Sequence, residues 1–127
     1  MSKRQEMLEI NFTITRPKLP STANGSHGHW TVKAAERRLW RGLTATEIRS
    51  KLSPVPRLTK IQATMIRHSA KEPDFDGLVH SFKPVVDGFV DSGLIEDDAP
   101  KFIERVYLWA KAKPGKGFIE VKIKEIE

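Results

Sequence analysis

The apolar residues of this chain change period as the sequence proceeds, and that alternation limits the available folds more than any other feature. Over residues 7–15, Leu8, Ile10, Phe12 and Ile14 alternate with Glu9, Asn11 and Thr13, the period-two pattern of a strand. Residues 16–29 carry Pro17, Pro20, Gly25 and Gly28 among Ser21, Thr22, Asn24 and Ser26 without any period, which predicts a long loop. From 31 to about 50, Val32, Ala35, Leu39, Leu43 and Ile48 recur at helical spacing while Lys33, Arg37, Arg38, Arg41 and Arg49 point elsewhere. That is an amphipathic basic helix, weakened by Gly42. Pro54 and Pro56 interrupt the chain, and residues 58–68 return to alternation through Ile61, Ala63 and Met65, a second strand.

A second helix is predicted over residues 76–92, where Phe82, Val85, Val86 and Phe89 lie 4, 7, 8 and 11 positions after Leu78. Asp76, His80, Lys83 and Asp87 form one polar stripe on its opposite side. Pro84 removes a backbone donor, so the regular helix is expected to begin near Lys83 after an irregular turn, and Gly93 closes it. Residues 102–112 are substantial on both alternating faces, as in a central strand. Residues 113–117 read as a turn and 118–126 as a last strand, with these final two strands expected to form a hairpin. The order β-α-β-α-β-β predicts a single α+β domain: a mixed sheet with two main helices on one face.

At 127 residues such a domain buries a real core, and the absence of cysteine removes disulfide scaffolds and thiolate metal sites. No run approaches the roughly 18 apolar residues that span a bilayer, and the charged start does not resemble a signal peptide. A soluble cytoplasmic protein, with no membrane partner, is expected. The net charge of +6 conceals a segregation. Residues 1–71 hold 14 Lys and Arg against 4 acids, whereas residues 72–100 hold eight acids and a single base, Lys83. A basic surface draws a polyanion, because neutralised phosphates release counterions. An acidic island would repel it, unless divalent cations on the carboxylates reverse the local sign.

The spacing inside the island points that way. Asp74-Phe75-Asp76 is a D-x-D, whose two carboxylates share a side in extended chain. Mg²⁺ is usually held by one or two carboxylates plus substrate phosphates. Asp97-Asp98, about one helix later, offers a third. The competing reading of Asp76 is a helix cap. His27-Gly28-His29 has no third ligand spaced to complete a transition-metal site, so those histidines, with Asn24 and Lys18, are assigned to a DNA-contacting loop. Lys33, Arg37, Arg38 and Arg41 are candidates for phosphate contacts, or for plain helix solubility. Trp30 and Trp40 are candidates for stacking on bases or, more often for such residues, for packing; Trp109 is assigned to the core.

The run from Pro73-Asp74-Phe75-Asp76-Gly77-Leu78 through Lys83-Pro84-Val85-Val86-Asp87-Gly88-Phe89 to Gly93-Leu94-Ile95-Glu96-Asp97-Asp98 resembles the signature of the RusA family of Holliday-junction resolvases, found in bacteria and their phages. The early Leu19-Pro20-Ser21-Thr22-Ala23-Asn24 loop fits as well. The resemblance implies a homodimeric, Mg²⁺-dependent endonuclease cutting four-way DNA junctions in recombination and repair, with Mn²⁺ as an alternative ion. It carries the catalytic and metal-binding aspartates onto Asp74, Asp76 and Asp98, and a catalytic lysine onto Lys83, in a bacterial or phage-infected cytoplasm. The chain departs from the family twice. Gly77 stands where asparagine is usual, and the lysine follows the second aspartate by seven residues rather than four, a place held here by His80. The Asp87 that follows favours Lys83. Two other readings remain open: a DNA-binding module whose acidic patch is structural, and a Mg²⁺ phosphohydrolase acting on nucleotides.

Overall fold

The computed structural model describes residues 7–22 and 30–127; residues 23–29 and the Trp30 side chain lie outside that description. The elements are β1 (Glu9–Ile14), α1 (Trp30–Lys51), β2 (Ile61–Ser69), α2 (Phe75–Asp91), β3 (Ile103–Lys111) and β4 (Phe118–Glu125). The order and the α+β class are those the periodicities predict. The four strands form one mixed sheet in the order β1-β4-β2-β3. Directly opposed partners on neighbouring strands share a face. Thus Phe12 beside Val121, Met65 beside Val121, and Ile61 beside Ile103 all turn inward. That face joins Trp40 and Ile48 of α1 and Leu78, Phe82, Val85, Val86 and Phe89 of α2 in the core.

Four expectations are corrected. The predicted hairpin of the last two strands does not form: β3 pairs in parallel with β2, and β4 pairs antiparallel with both β1 and β2. The turn holding Gly115 at φ +77 therefore carries the chain past β2, and β3 is an edge strand, not a central one. Alternation fixes which residues face inward but says nothing about which strand lies alongside. The helix α1 buries only the later part of the stripe read in the sequence. Ile48 is buried and Leu43 packs against the core as read, but Val32, Ala35 and Leu39 are exposed and Trp40, Thr44 and Ala45 are buried in their place, because the tryptophan outweighs the smaller residues in apolar area.

Finally, α2 runs without a break from Phe75 through Pro84. Loss of one backbone bond and the ring clash cost about 3 kcal/mol. Burying Leu78, Phe82, Val85, Val86 and Phe89 offsets this at roughly 1.5–3 kcal/mol each. The helix ends as expected at Gly93, φ +89. The Gly93 N–H donates to the Val90 carbonyl at 2.9 Å and Leu94 N–H to Phe89 at 3.3 Å, a paired terminal motif that needs a left-handed residue. The two helices cross tightly at Gly88, where an added Cβ would lie 2.6 Å from Thr44 Cβ and 2.9 Å from the Arg41 carbonyl.

Candidate functional site

The acidic island is organised by the start of α2. Asp74 is the cap: its backbone is extended, and its Oδ1 accepts from Gly77 N–H at 2.7 Å. Capping therefore falls on Asp74 rather than on Asp76, which sits exposed in the first turn, where a negative charge suits the helix dipole. Gly77 has a local reason. A Cβ there would approach Asp74 Oδ1 to 2.9 Å and the Thr22 carbonyl to 3.0 Å, so the loop before α1 packs onto this turn only if the side chain is absent.

With Asp76 inside a helix, the extended geometry expected of D-x-D does not apply, and the two aspartates open onto different cavities. Asp74 lines one of about 480 Å³ with Thr22, Arg67, Ser69, Lys71, Glu72 and Pro73. Asp76 lines another of about 490 Å³ with Phe75, Val79, His80, Lys83, Val86, Arg105 and Tyr107. At the second cavity Lys83 Nζ donates to Asp98 Oδ2 at 3.0 Å and lies 3.6 Å from Asp87 Oδ1. Arg105 donates to the Asp98 carbonyl, and its guanidinium stands 3.9 Å from Asp98 Oδ2. The hydrogen bond to Asp98 raises the Lys83 pKa above the usual lysine value. The same bond, with lesser help from Arg105, holds Asp98 below the usual carboxylate range.

Thus Asp76, Lys83 and Asp98 share one neighbourhood, and Asp74 lies at the adjoining cavity. Among the described residues no three His, Asp or Glu side chains are gathered closely enough to hold a metal ion. Asp97 is exposed. Of the expected phosphate contacts, Lys18, Arg37 and Arg38 are exposed and Lys33 is half-buried. Arg41 is committed elsewhere: its Nε and Nη2 each donate to an Asp91 carboxylate oxygen at 2.9 Å, tying α1 to α2, which raises the arginine pKa and lowers that of Asp91. Asn24, His27 and His29 lie outside the described residues.

Trp40 is fully buried in the core, and Trp109 packs against that core while its Nε1 donates to Ser69 Oγ at 2.9 Å. Sequence reasoning missed Arg105 and Arg67. Each is a cation at an inward phase of an alternating strand, and that mismatch was the available signal. Arg67 Nη1 donates to the Pro20 carbonyl at 2.7 Å, and burial lowers its pKa.

These features define a class: a four-stranded α+β domain with an acidic helix start between two cavities on an otherwise basic chain. No protein-family model matches the sequence, and no curated protein matches it. No described helix is long and apolar enough to cross a membrane.

Proposed function

We propose that this chain is a Mg²⁺-dependent endonuclease that cuts branched DNA, four-way junctions foremost, acting as a homodimer in the manner of the RusA family. The observation that carries the reading is the meeting of Lys83 with Asp98 at 3.0 Å beside the cavity that Asp76 lines. These are three of the four residues the resemblance singles out, Asp76 and Lys83 from α2 and Asp98 from the segment that follows it.

The donor set suits Mg²⁺ chemically. Asp76 is an exposed carboxylate with no hydrogen bond or ion pair among the described residues, and Asp74 commits one oxygen to the cap. Hard carboxylate oxygens, few in number, with phosphate completing the shell, are the usual Mg²⁺ arrangement. To hold one ion, Asp76 and the oxygen of Asp74 left free by the cap would have to turn toward each other from their separate cavities, with Asp98 joining once released from Lys83. Bound there, Mg²⁺ supplies Lewis acidity toward a phosphoryl oxygen and a lowered pKa for a nearby water. Lys83 offsets charge that develops on the phosphate, and Arg105 keeps the Asp98 segment in place. Lys18, Arg37 and Arg38 position the phosphodiester backbone without reading sequence.

The engagement of Asp98 by Lys83 and Arg105 favours one other reading, a DNA-binding module without catalysis. Asp74→Asn separates the two, because asparagine caps a helix as well as aspartate does. Four-way, forked and linear duplexes are incubated with and without Mg²⁺. The nuclease reading expects Mg²⁺-dependent cuts in the four-way junction that the variant abolishes while its junction binding persists. A wild-type protein that binds but never cuts supports the module. On either DNA reading, log affinity falls with log salt by roughly 0.9 per phosphate contact. A flat response would point away from DNA, toward a nucleotide-sized substrate.

A further inference from the structure

We propose that the cavity beside Lys83 receives one unstacked nucleobase, with Phe75 as its stacking surface. The substrate class rests on the DNA reading above; the pocket and its occupant go beyond it. Phe75 stands between the two aspartates and is 66% exposed, the highest exposure of any large apolar side chain among the described residues. Its ring meets Tyr107 edge-on, with centroids 6.2 Å apart and planes at 88°, and Tyr107 in turn leans on the buried Phe82 at 6.0 Å. The exposed ring therefore has a fixed backing.

The cavity below it measures about 490 Å³, within the size range of small-ligand sites. Phe75, Val79, Val86 and Tyr107 supply apolar wall, and Asp76, His80, Lys83 and Arg105 supply polar groups. Bare phosphate leaves the apolar wall unused, and a purely apolar ligand leaves the charged groups without partners. A flat heterocycle attached to a phosphate satisfies both. Like Asp76, His80 makes no hydrogen bond or ion pair among the described residues, and its ring can donate to or accept from a base edge.

Every base has a π-face, so such a pocket tolerates any sequence, yet a base paired and stacked in duplex must first be extruded to reach it. At a branch point that extrusion is already partly accomplished. The pocket thus favours branched over linear DNA through one aromatic residue, independently of phosphate contacts. Trp40, buried in the core, cannot play this part.

The test measures equilibrium binding in EDTA, so it needs no cleavage. A four-way junction and the same junction lacking the bases at its branch point are each titrated with wild type, Phe75→Ala and Phe75→Trp, after circular dichroism shows that all three are folded. Phe75→Ala should weaken binding to the intact junction by roughly ten- to hundredfold, and Phe75→Trp should restore it. On the abasic junction the alanine penalty should nearly vanish. The salt slope should not change. An equal penalty on both junctions, or none on the intact one, overturns the pocket while leaving the nuclease reading to its own assay. A protein that binds neither junction, in EDTA or with Mg²⁺ present, overturns both.

Discussion

Replacing Asp98 by asparagine separates what this residue does for the fold from the part proposed for it in DNA cleavage. Its carboxylate meets Lys83 at 3.0 Å, with the two side chains 31% and 55% exposed, in that order. An ion pair so open to water contributes about 0.2–1 kcal/mol. The asparagine oxygen still accepts from Lys83, and the bond from Arg105 goes to the Asp98 backbone carbonyl, which the substitution leaves intact. Thermal unfolding should therefore shift by no more than about 5 °C. If Asp98 lends its charge to the reacting phosphate through Mg²⁺ or Lys83, single-turnover cleavage of a labelled four-way junction should fall by at least about 100-fold, the usual cost of losing one preorganised electrostatic partner. A variant that cuts within about threefold of wild type would refute the placement of Asp98 in the reacting site. One that fails to fold would refute the account of a weak surface pair.

Much of the fold was legible because burial imposes period. The stripe from Leu78 to Phe89 was read residue by residue and is buried as read, and so are Ile61, Ala63 and Met65. Strand adjacency was not legible, since alternation is the same whether Lys111 leads to a hairpin or crosses over β2 to an antiparallel pairing with β1 and β2. In α1 the pattern admits two stripes, and one large residue, Trp40, decides between them. The geometry of the candidate site was half legible. Asp76, Lys83 and Asp98 converge on one region, and the seven-residue spacing between the first two keeps both on one side of α2, whose continuity through Pro84 could not be foreseen. The separation of Asp74 from Asp76 was hidden, because whether D-x-D is extended or turns into a helix depends on the Asp74 cap and on Thr22 packing against Gly77.

The cap makes a paired prediction: Asp74→Ala should lower stability by about 1 kcal/mol in urea denaturation while Asp74→Asn stays near wild type. Equal losses would mean that the Gly77 bond contributes little. The Lys83/Asp98 pair sets a pH window. The lowered Asp98 pKa gives stability that is present above the ordinary aspartate range and lost as pH falls through its depressed value; the raised Lys83 pKa gives stability lost only as pH rises through its elevated value. The Tm difference between wild type and Lys83→Met should accordingly be flat across neutral pH and shrink toward both extremes; a difference that grows in acid would contradict the pairing. Gly88→Ala tests the helix crossing. Alanine gains up to about 1 kcal/mol in helix propensity. Its Cβ, however, would lie 2.6 Å from Thr44 Cβ, more than an ångström inside an ordinary contact of about 3.8 Å. It would also lie 2.9 Å from the Arg41 carbonyl. Neither atom can step aside without its helix, and moving the helices apart also pulls Arg41 from Asp91. Overpacking at the upper end of its usual 1–3 kcal/mol range should win, leaving a net loss of about 2 kcal/mol and a lower Tm. A Tm at or above wild type would mean that α1 and α2 do not cross this closely.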